Sequence, residues 1–197
     1  MENGISKPLP SEIANFAVSS GLRGAGLVLA GSALVAVCSH IALPLWFTPV
    51  PLTLQPFAVL LLGLVLGPRL AAATLGAYLL EGATGLPVFT PGFALGAGVA
   101  HLVGPTGGYL MSYPAAAALV SWLRTRLNRG FAGAALSAAA GDALILLCGF
   151  VWLAMWTHAA IGSAFALAVL PFLPGEALKV VAAAGIARGL GRVRRYR

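Results

Sequence analysis

The longest apolar run in the chain restricts the solvent in which the protein can fold. Residues 144–156 read LILLCGFVWLAMW, with no charged side chain. The whole chain is 59% hydrophobic and only 9% charged, against roughly 45–50% apolar residues in a soluble domain. This excess is typical of a protein in lipid, where apolar side chains face outward as well as inward. The 25 glycines agree, because small residues let membrane helices pack closely.

Apolar segments separated by helix breakers predict an all-α protein with six transmembrane helices. We place a break at Gly67-Pro68 because this pair interrupts a helix, and because Arg69 favours a membrane interface over the bilayer centre. The predicted spans are residues 22–43, 55–66, 70–80, 106–123, 131–156 and 175–190. This divides the chain into a leader over 1–21, a membrane domain over 22–190 and a basic tail over 191–197.

The basic residues predict the orientation. If six helices alternate, all the basic clusters fall on one side, whereas the loops near 44–54, 82–105 and 157–174 contain neither Lys nor Arg. By the positive-inside rule both termini are cytoplasmic, in a multi-pass protein of the cell membrane. No aromatic residues alternate with the basic residues of these clusters, so the net charge of +7 does not indicate nucleic-acid binding. The first 20 residues lack a compact apolar stretch, and no cleavable signal peptide is expected.

Glu176 and Lys179 are the sharpest candidates for a ligand site. They lie one helical turn apart in the first turn of the sixth predicted helix, so their side chains can meet each other or the same ligand. Ionisable groups at membrane depth are costly and usually functional. A neutralising ion pair without a ligand is an equally good interpretation of the sequence alone.

Two further features lie on the predicted outer side. Thr106, Gly107 and Gly108 open the fourth predicted helix, where free backbone N–H groups can bind a carboxylate; a tight turn with close helix packing is the alternative. The outer loops are rich in Pro, Gly and aromatic residues, which predicts that they fold over the helix ends and enclose a ligand. The aromatic residues suited to cover a flat ligand, or alternatively to anchor the interface, are Trp46, Phe47, Phe89 and Phe93.

Three blocks in order give the chain a clear resemblance to a known family. VPLTLQPFAVLLLGLVLGPRLAAATLGAYLLEGATGLPVF is followed by LVGPTGGYL and then by PFLPGEALKVVAAAG. Together they resemble the BioY family, the biotin-binding S components of energy-coupling factor (ECF) transporters. The resemblance implies the S-component fold and an outward-facing biotin pocket. It also implies a transmembrane T subunit and two cytoplasmic ATPase subunits as partners.

The resemblance also implies which residues bind the substrate. The TLQ motif contributes Thr53 and Gln55, and GPTGGYL adds Tyr109. Together with the candidates above, the expected substrate-binding residues are Trp46, Thr53, Gln55, Phe89, Thr106, Gly107, Gly108, Tyr109, Asp142, Glu176 and Lys179. Where the family has Asp-x-x-Lys in the last block, this chain has Glu176-x-x-Lys179, so its carboxylate lies one methylene further from the backbone.

The second departure from the family lies on the first helix, where S components carry Ala-x-x-x-Ala for docking to the T subunit. The aligned positions here are Leu29 and Ala33. The nearest small-x-x-x-small pairs are Gly26 with Ala30 and Ser32 with Ala36. A small-residue docking face is therefore expected at Gly26, Leu29, Ala30 and Ala33, with its register open.

The remaining polar residues give weaker signals. Asp142, midway along the fifth predicted helix, faces either the bundle interior or the pocket, and Glu81 is read as an interhelical hydrogen-bonding group rather than a pocket acid. His101 is a candidate for the pocket rim. The three histidines share no metal-ligand spacing, so no metal is predicted. Cys38 and Cys148 lie in apolar runs and are read as buried small hydrophobes.

The chain contains neither a P-loop nor a nucleophile–base arrangement. We therefore expect no catalytic residue and no cofactor, with ATP used only by partner subunits. An S component for another small vitamin and an integral membrane enzyme are the alternatives. Binding of a vitamin panel would distinguish them, because an enzyme converts its substrate and a binding component returns it unchanged.

Overall fold

The computed structural model describes residues 10–91, 98–128 and 130–193, with side chains from residue 21 to 190. These residues form a bundle of helices with one short pair of strands. The elements are α1 Pro10–His40, β1 Ala42–Leu43, β2 Leu52–Thr53, α2 Gln55–Val65, α3 Pro68–Ala83, α4 Val99–Val103, α5 Gly107–Arg126, α6 Phe131–Thr157, α7 Ile161–Ala168 and α8 Leu173–Val193.

The helical fold class is confirmed, and a helix of 11 residues or more lies on each of the six predicted segments. Three details differ from the prediction. α1 begins at Pro10, inside the stretch predicted as a leader. The two-residue strands β1 and β2 pair antiparallel, and the short helices α4 and α7 lie in segments where no helix was predicted.

The predicted break between the second and third segments is present. Gly67 is extended, with φ −72° and ψ 159°, and Pro68 occupies the first turn of α3, where its missing N–H is not needed. The Ser121 hydroxyl of α5 donates to the Leu66 carbonyl over 2.6 Å. This bond places the Arg69 turn beside the arginine-rich end of α5.

Small side chains pack inside the bundle and large apolar ones cover it. α5 and α6 bury residues such as Ala116, Ala117, Ala134 and Ala138, all with 0% exposure. By contrast, large aliphatic side chains on the outside are more than half exposed: Leu29, Leu136, Leu147 and Leu178. An apolar exterior of this kind is suited to lipid rather than water.

By length and hydropathy, two described helices can each cross a membrane, namely Gly21–His40 and Phe131–Thr157. A third candidate is the pair Ile161–Ala168 and Leu173–Leu190, which is bent by 47°. Gln55–Val65 is apolar but shorter.

The loops predicted to lie on the outer side meet at one end of the bundle, opposite the Arg69 turn. Thr48, in the connection between the strands, donates its hydroxyl to the carbonyl of Leu167 in α7 over 3.0 Å. Trp152 near the end of α6 donates its indole N–H to the carbonyl of Gly104 over 2.7 Å. The first bond fixes the strand connection to α7, and the second fixes the loop between α4 and α5 to α6.

Candidate ligand-binding site

A partly enclosed cavity of about 50 Å³ lies under these loops. Side chains of α2, α5, α6 and α8 form its walls, together with the connections before α2 and after α3. Six of the predicted substrate-binding residues line it: Thr53, Gln55, Phe89, Thr106, Tyr109 and Glu176. The lining is mostly apolar with a few polar groups, as is usual for small-molecule sites.

Glu176 is the acidic residue of the cavity wall, and Lys179 lies directly behind it. Lys179 Nζ donates to Glu176 Oε1 over 2.6 Å. The two residues are only 4% and 8% exposed, and Lys179 does not border the cavity. Glu176 Oε2 is buried and accepts no hydrogen bond from any described residue. The pair therefore offers a ligand one free carboxylate oxygen, while the ammonium group balances the charge.

Asp142 lies close to this pair. It is 7% exposed and interacts electrostatically with both Glu176 and Lys179. Its Oδ1, like Glu176 Oε2, has no donor among the described residues. Asp142 does not line the cavity, but Ile145, one turn further along α6, does. Of the two predicted environments, the structure therefore places Asp142 in the bundle interior, beside the polar wall of the cavity.

Gln55 is held in place by hydrogen bonds from three directions. Its Nε2 donates to the Tyr78 hydroxyl, and its Oε1 accepts from Thr53 Oγ1 over 3.1 Å and from Thr90 Oγ1 over 3.4 Å. An amide has two N–H donors, so these contacts leave one N–H of Gln55 for a ligand. Gln55 is 3% exposed and therefore presents a fixed polar group to the cavity.

Gly107 and Gly108 are not part of the cavity lining. A Cβ on Gly108 would overlap Trp152 and the Cys148 carbonyl, and one on Gly107 would overlap the Leu102 carbonyl. Close packing of α5 against α6 thus explains Gly108, and the close approach of the α4 backbone explains Gly107, in line with the alternative weighed above. Their binding of a carboxylate stays a prediction.

The aromatic residues of the outer loops have different environments. Phe89 lines the cavity and stacks edge-on against Tyr78, with ring centroids 5.4 Å apart. Trp46 is 95% exposed and contacts Phe47, so the structure does not bring it to the cavity. This exposure suits the interfacial role that was the alternative. Phe93 lies outside the described residues.

Several residues that line the cavity were not identified from the sequence or gave only a weak signal. His101 lines the cavity as the rim prediction expected, and its Nδ1 is buried without a partner among the described residues. Thr90, Tyr113 and Phe172 also line it. Tyr113 lies one turn after Tyr109 on α5, so helical spacing from Tyr109 could have identified it. No sequence signal identified Thr90.

On α1 the structure separates two small-residue faces. Gly26, Leu29, Ala30 and Ala33 are all exposed, as a docking surface requires. Ser32 is buried at 2% exposure and donates to Glu81 Oε1 over 2.9 Å. The interhelical role expected for Glu81 is therefore observed, and the Ser32–Ala36 register faces inward.

No group of three or more His, Cys, Asp or Glu that could hold a metal ion occurs among the residues with described positions. Cys38 and Cys148 are free thiols, the first buried and the second partly buried. The chemistry of the cavity is that of recognition: a carboxylate acceptor, an amide donor, a histidine and apolar walls. It fits a small molecule with N–H donors at one end.

Comparison with known proteins identifies the family of the chain. The chain matches the BioY family over residues 11–196. It is 41% identical over 142 residues to the "Probable biotin transporter BioY" of Pyrococcus horikoshii, covering 72% of this chain and 81% of that protein. It is 38% identical over 169 residues to the "Biotin transporter BioY" of Thermotoga maritima, covering 85% and 96%.

A solved structure shares the fold. The crystal structure of the S-component for biotin from an ECF-type ABC transporter superposes with a TM-score of 0.80. It is 23% identical and covers 88% of this chain and 93% of that one. The fold and site thus define a helical membrane protein with a cavity under the loops at one end of its bundle. The chain belongs to the BioY family.

Proposed function

We propose that this chain is the biotin-binding S component of an ECF-type ABC transporter and mediates biotin uptake. The observation that carries the proposal is the buried Glu176–Lys179 pair at the cavity wall, with a free Glu176 Oε2. The biotin transporters among the relatives of this chain support biotin as the ligand. A binding component also suits a cavity that offers polar recognition without a nucleophile–base pair.

The polar groups of the cavity match the ureido ring of biotin. The ring has two N–H donors and one carbonyl acceptor. A carboxylate only accepts hydrogen bonds, so Glu176 suits an N–H edge, and the remaining N–H of Gln55 suits the carbonyl. Lys179 acts by holding the Glu176 charge, since it already donates to Oε1. Phe89 and Phe172 provide apolar walls for the rest of the ligand.

In the proposed topology the six longer helices α1, α2, α3, α5, α6 and α8 cross the cell membrane, with both termini in the cytoplasm. The bond between Ser121 and Leu66 supports it, because the Arg69 turn and the arginine-rich end of α5 then lie on one side. α2 has only 11 residues, fewer than the roughly 20 that span a bilayer. It therefore crosses with the help of the loop that precedes it.

The T subunit docks, in this proposal, on the exposed face of α1 formed by Gly26, Leu29, Ala30 and Ala33. Small residues there allow a partner helix to approach closely. ATP is used by the ATPase subunits and not by this chain.

Equilibrium binding to the purified protein tests the function. We expect biotin to bind much more tightly than thiamine, riboflavin or folate, and to be recovered unchanged. Tight binding of a different vitamin would contradict the assignment of biotin while keeping the S-component fold. Conversion of the ligand would indicate an enzyme instead.

A further inference from the structure

Two buried carboxylates share a single lysine beside the cavity. Asp142 and Glu176 are both more than nine-tenths buried, and Lys179 Nζ donates to Glu176 Oε1. If both acids were ionised, the cluster would carry a net negative charge away from water. Burying an uncompensated charge costs several kcal/mol, so such groups usually become neutral.

The unpartnered atoms show where a proton would be stabilised. Asp142 Oδ1 and Glu176 Oε2 each lack a donor among the described residues, and they lie on α6 and α8, two helices that pack against each other and whose carboxyl groups interact electrostatically. Two carboxylates cannot satisfy one another, because ionised carboxylates only accept. One proton between them supplies the donor and makes the three-residue cluster neutral.

Glu176 is the better candidate for the ionised partner, because Lys179 forms its ion pair with Glu176. We propose that Asp142 is a positioning residue, held protonated, that donates its carboxyl hydrogen to Glu176 Oε2 and so fixes the carboxylate that binds the ligand. The inference rests on the proposed function for its ligand. The oxygen of Glu176 has a second lone pair, which stays available to an N–H donor in the cavity.

Other titratable groups face this cluster. α8 contributes Glu176 and Lys179, and α5 contributes Tyr113, which interacts with Asp142, and Tyr109, which interacts with Glu176. α2 and α7 have no titratable side chain. The tyrosines are neutral near neutral pH, so the proton count depends on the two carboxyls and the lysine.

The sign of the pH dependence follows from this arrangement. When Asp142 loses its proton, its charge repels Glu176 and competes for Lys179. Biotin affinity therefore falls as rising pH removes that proton. Asp142→Asn preserves an N–H donor to Glu176 Oε2 without a titrating proton. We expect it to bind biotin within about threefold of wild type and to lose this pH dependence.

Asp142→Leu removes the donor. We expect it to bind roughly 10- to 100-fold more weakly, the effect of losing a charge-assisted hydrogen bond. Glu81→Gln is the matched control, because Glu81 is a membrane-depth acid bonded to Ser32 that does not line the cavity. It should retain wild-type binding and pH dependence. If Asp142→Asn binds as weakly as Asp142→Leu, or keeps the wild-type pH dependence, the inference is wrong.

Infrared spectroscopy of the ligand-free protein tests the proton without biotin. A protonated-carboxyl C=O band should be present in wild type and in Glu81→Gln and absent in Asp142→Asn. A wild-type spectrum without this band, or a band that persists in Asp142→Asn, overturns the inference. A protein that shows the band but binds no biotin at any pH would contradict the proposed function and leave the Asp142 proton established.

Discussion

Tyr78 of α3 accepts a hydrogen bond from Gln55 Nε2 of α2 and donates its own proton to the Val88 carbonyl over 3.0 Å. Tyr78 has 0% exposure and is not part of the cavity lining. It therefore connects the amide at the cavity wall with the loop that carries Phe89. Through this contact, a residue that does not border the cavity sets the orientation of one that does.

Tyr78→Phe removes both hydrogen bonds and changes the shape of the side chain little. A net hydrogen bond contributes about 0.5–1.5 kcal/mol, so we expect biotin affinity to fall by roughly 2- to 12-fold. Ser121→Ala is the control, since it removes one buried hydroxyl–carbonyl bond far from the cavity. Equilibrium binding measures both variants. Equal affinity of Tyr78→Phe and wild type would show that Gln55 needs no support from α3.

The second prediction concerns the Glu176–Lys179 pair. The sequence alone allowed two interpretations of it, a ligand contact or a neutralising ion pair. Lys179→Met leaves Glu176 without its countercharge, and we expect biotin affinity to fall roughly 10- to 100-fold. The amount of purified, monodisperse protein should stay near wild type. Glu176→Gln combined with Lys179→Met removes both charges together. Recovery of tight binding in this double variant would leave only the structural role for the pair.

The third prediction concerns Gly108. A Cβ at this position overlaps Trp152 and the Cys148 carbonyl, so Gly108→Ala should destabilise the protein by about 1–3 kcal/mol through overpacking. Gly185→Ala in α8 is the control, because its Cβ would meet nothing within 4 Å. Thermal unfolding in detergent compares the two. An unchanged midpoint of thermal unfolding for Gly108→Ala would contradict the packing explanation and favour binding of a ligand carboxylate at this helix start.

Periodicity and breakers predicted the helical segments well, because a residue that breaks a helix acts locally. Gly67-Pro68 ends α2 and begins α3 as expected. The positions of Glu176 and Gln55 in the cavity wall likewise agree with the motifs that carry them. The register of α1 was not, because it depends on which small residues meet Glu81, a contact 49 positions away in sequence.

The contribution of the loops was harder to predict. Thr90 reaches the cavity through the loop after α3, and nothing in its sequence neighbourhood fixes that path. The sequence predicted an anion site at Gly107 and Gly108 because the start of any helix has free backbone N–H groups, which is a local property. The contact between Gly108 and Trp152 explains this glycine. It depends on the distance between two helices, which cannot be predicted from a single sequence.

The fourth prediction concerns topology. A reporter fused after Arg197 should behave as cytoplasmic, because the basic clusters lie on the proposed inner side. A small accessible tag in the turn at residues 158–160, between α6 and α7, should be labelled from outside intact cells. Labelling of that tag only after cell lysis would contradict the proposed orientation. It would also show that the cavity under the loops does not face the outside of the cell.

The last prediction concerns docking on α1. Ala30 is exposed between Gly26 and Ala33, so Ala30→Trp should obstruct close approach of a partner helix. Because this face points away from the cavity, biotin binding by the isolated variant should equal wild type, while co-purification with the T and ATPase subunits and biotin uptake through them should fall. Ala182→Trp places the same bulk on an exposed position of α8 and should retain both. If Ala30→Trp assembles normally and Ala182→Trp does not, the T subunit docks on α8 rather than α1.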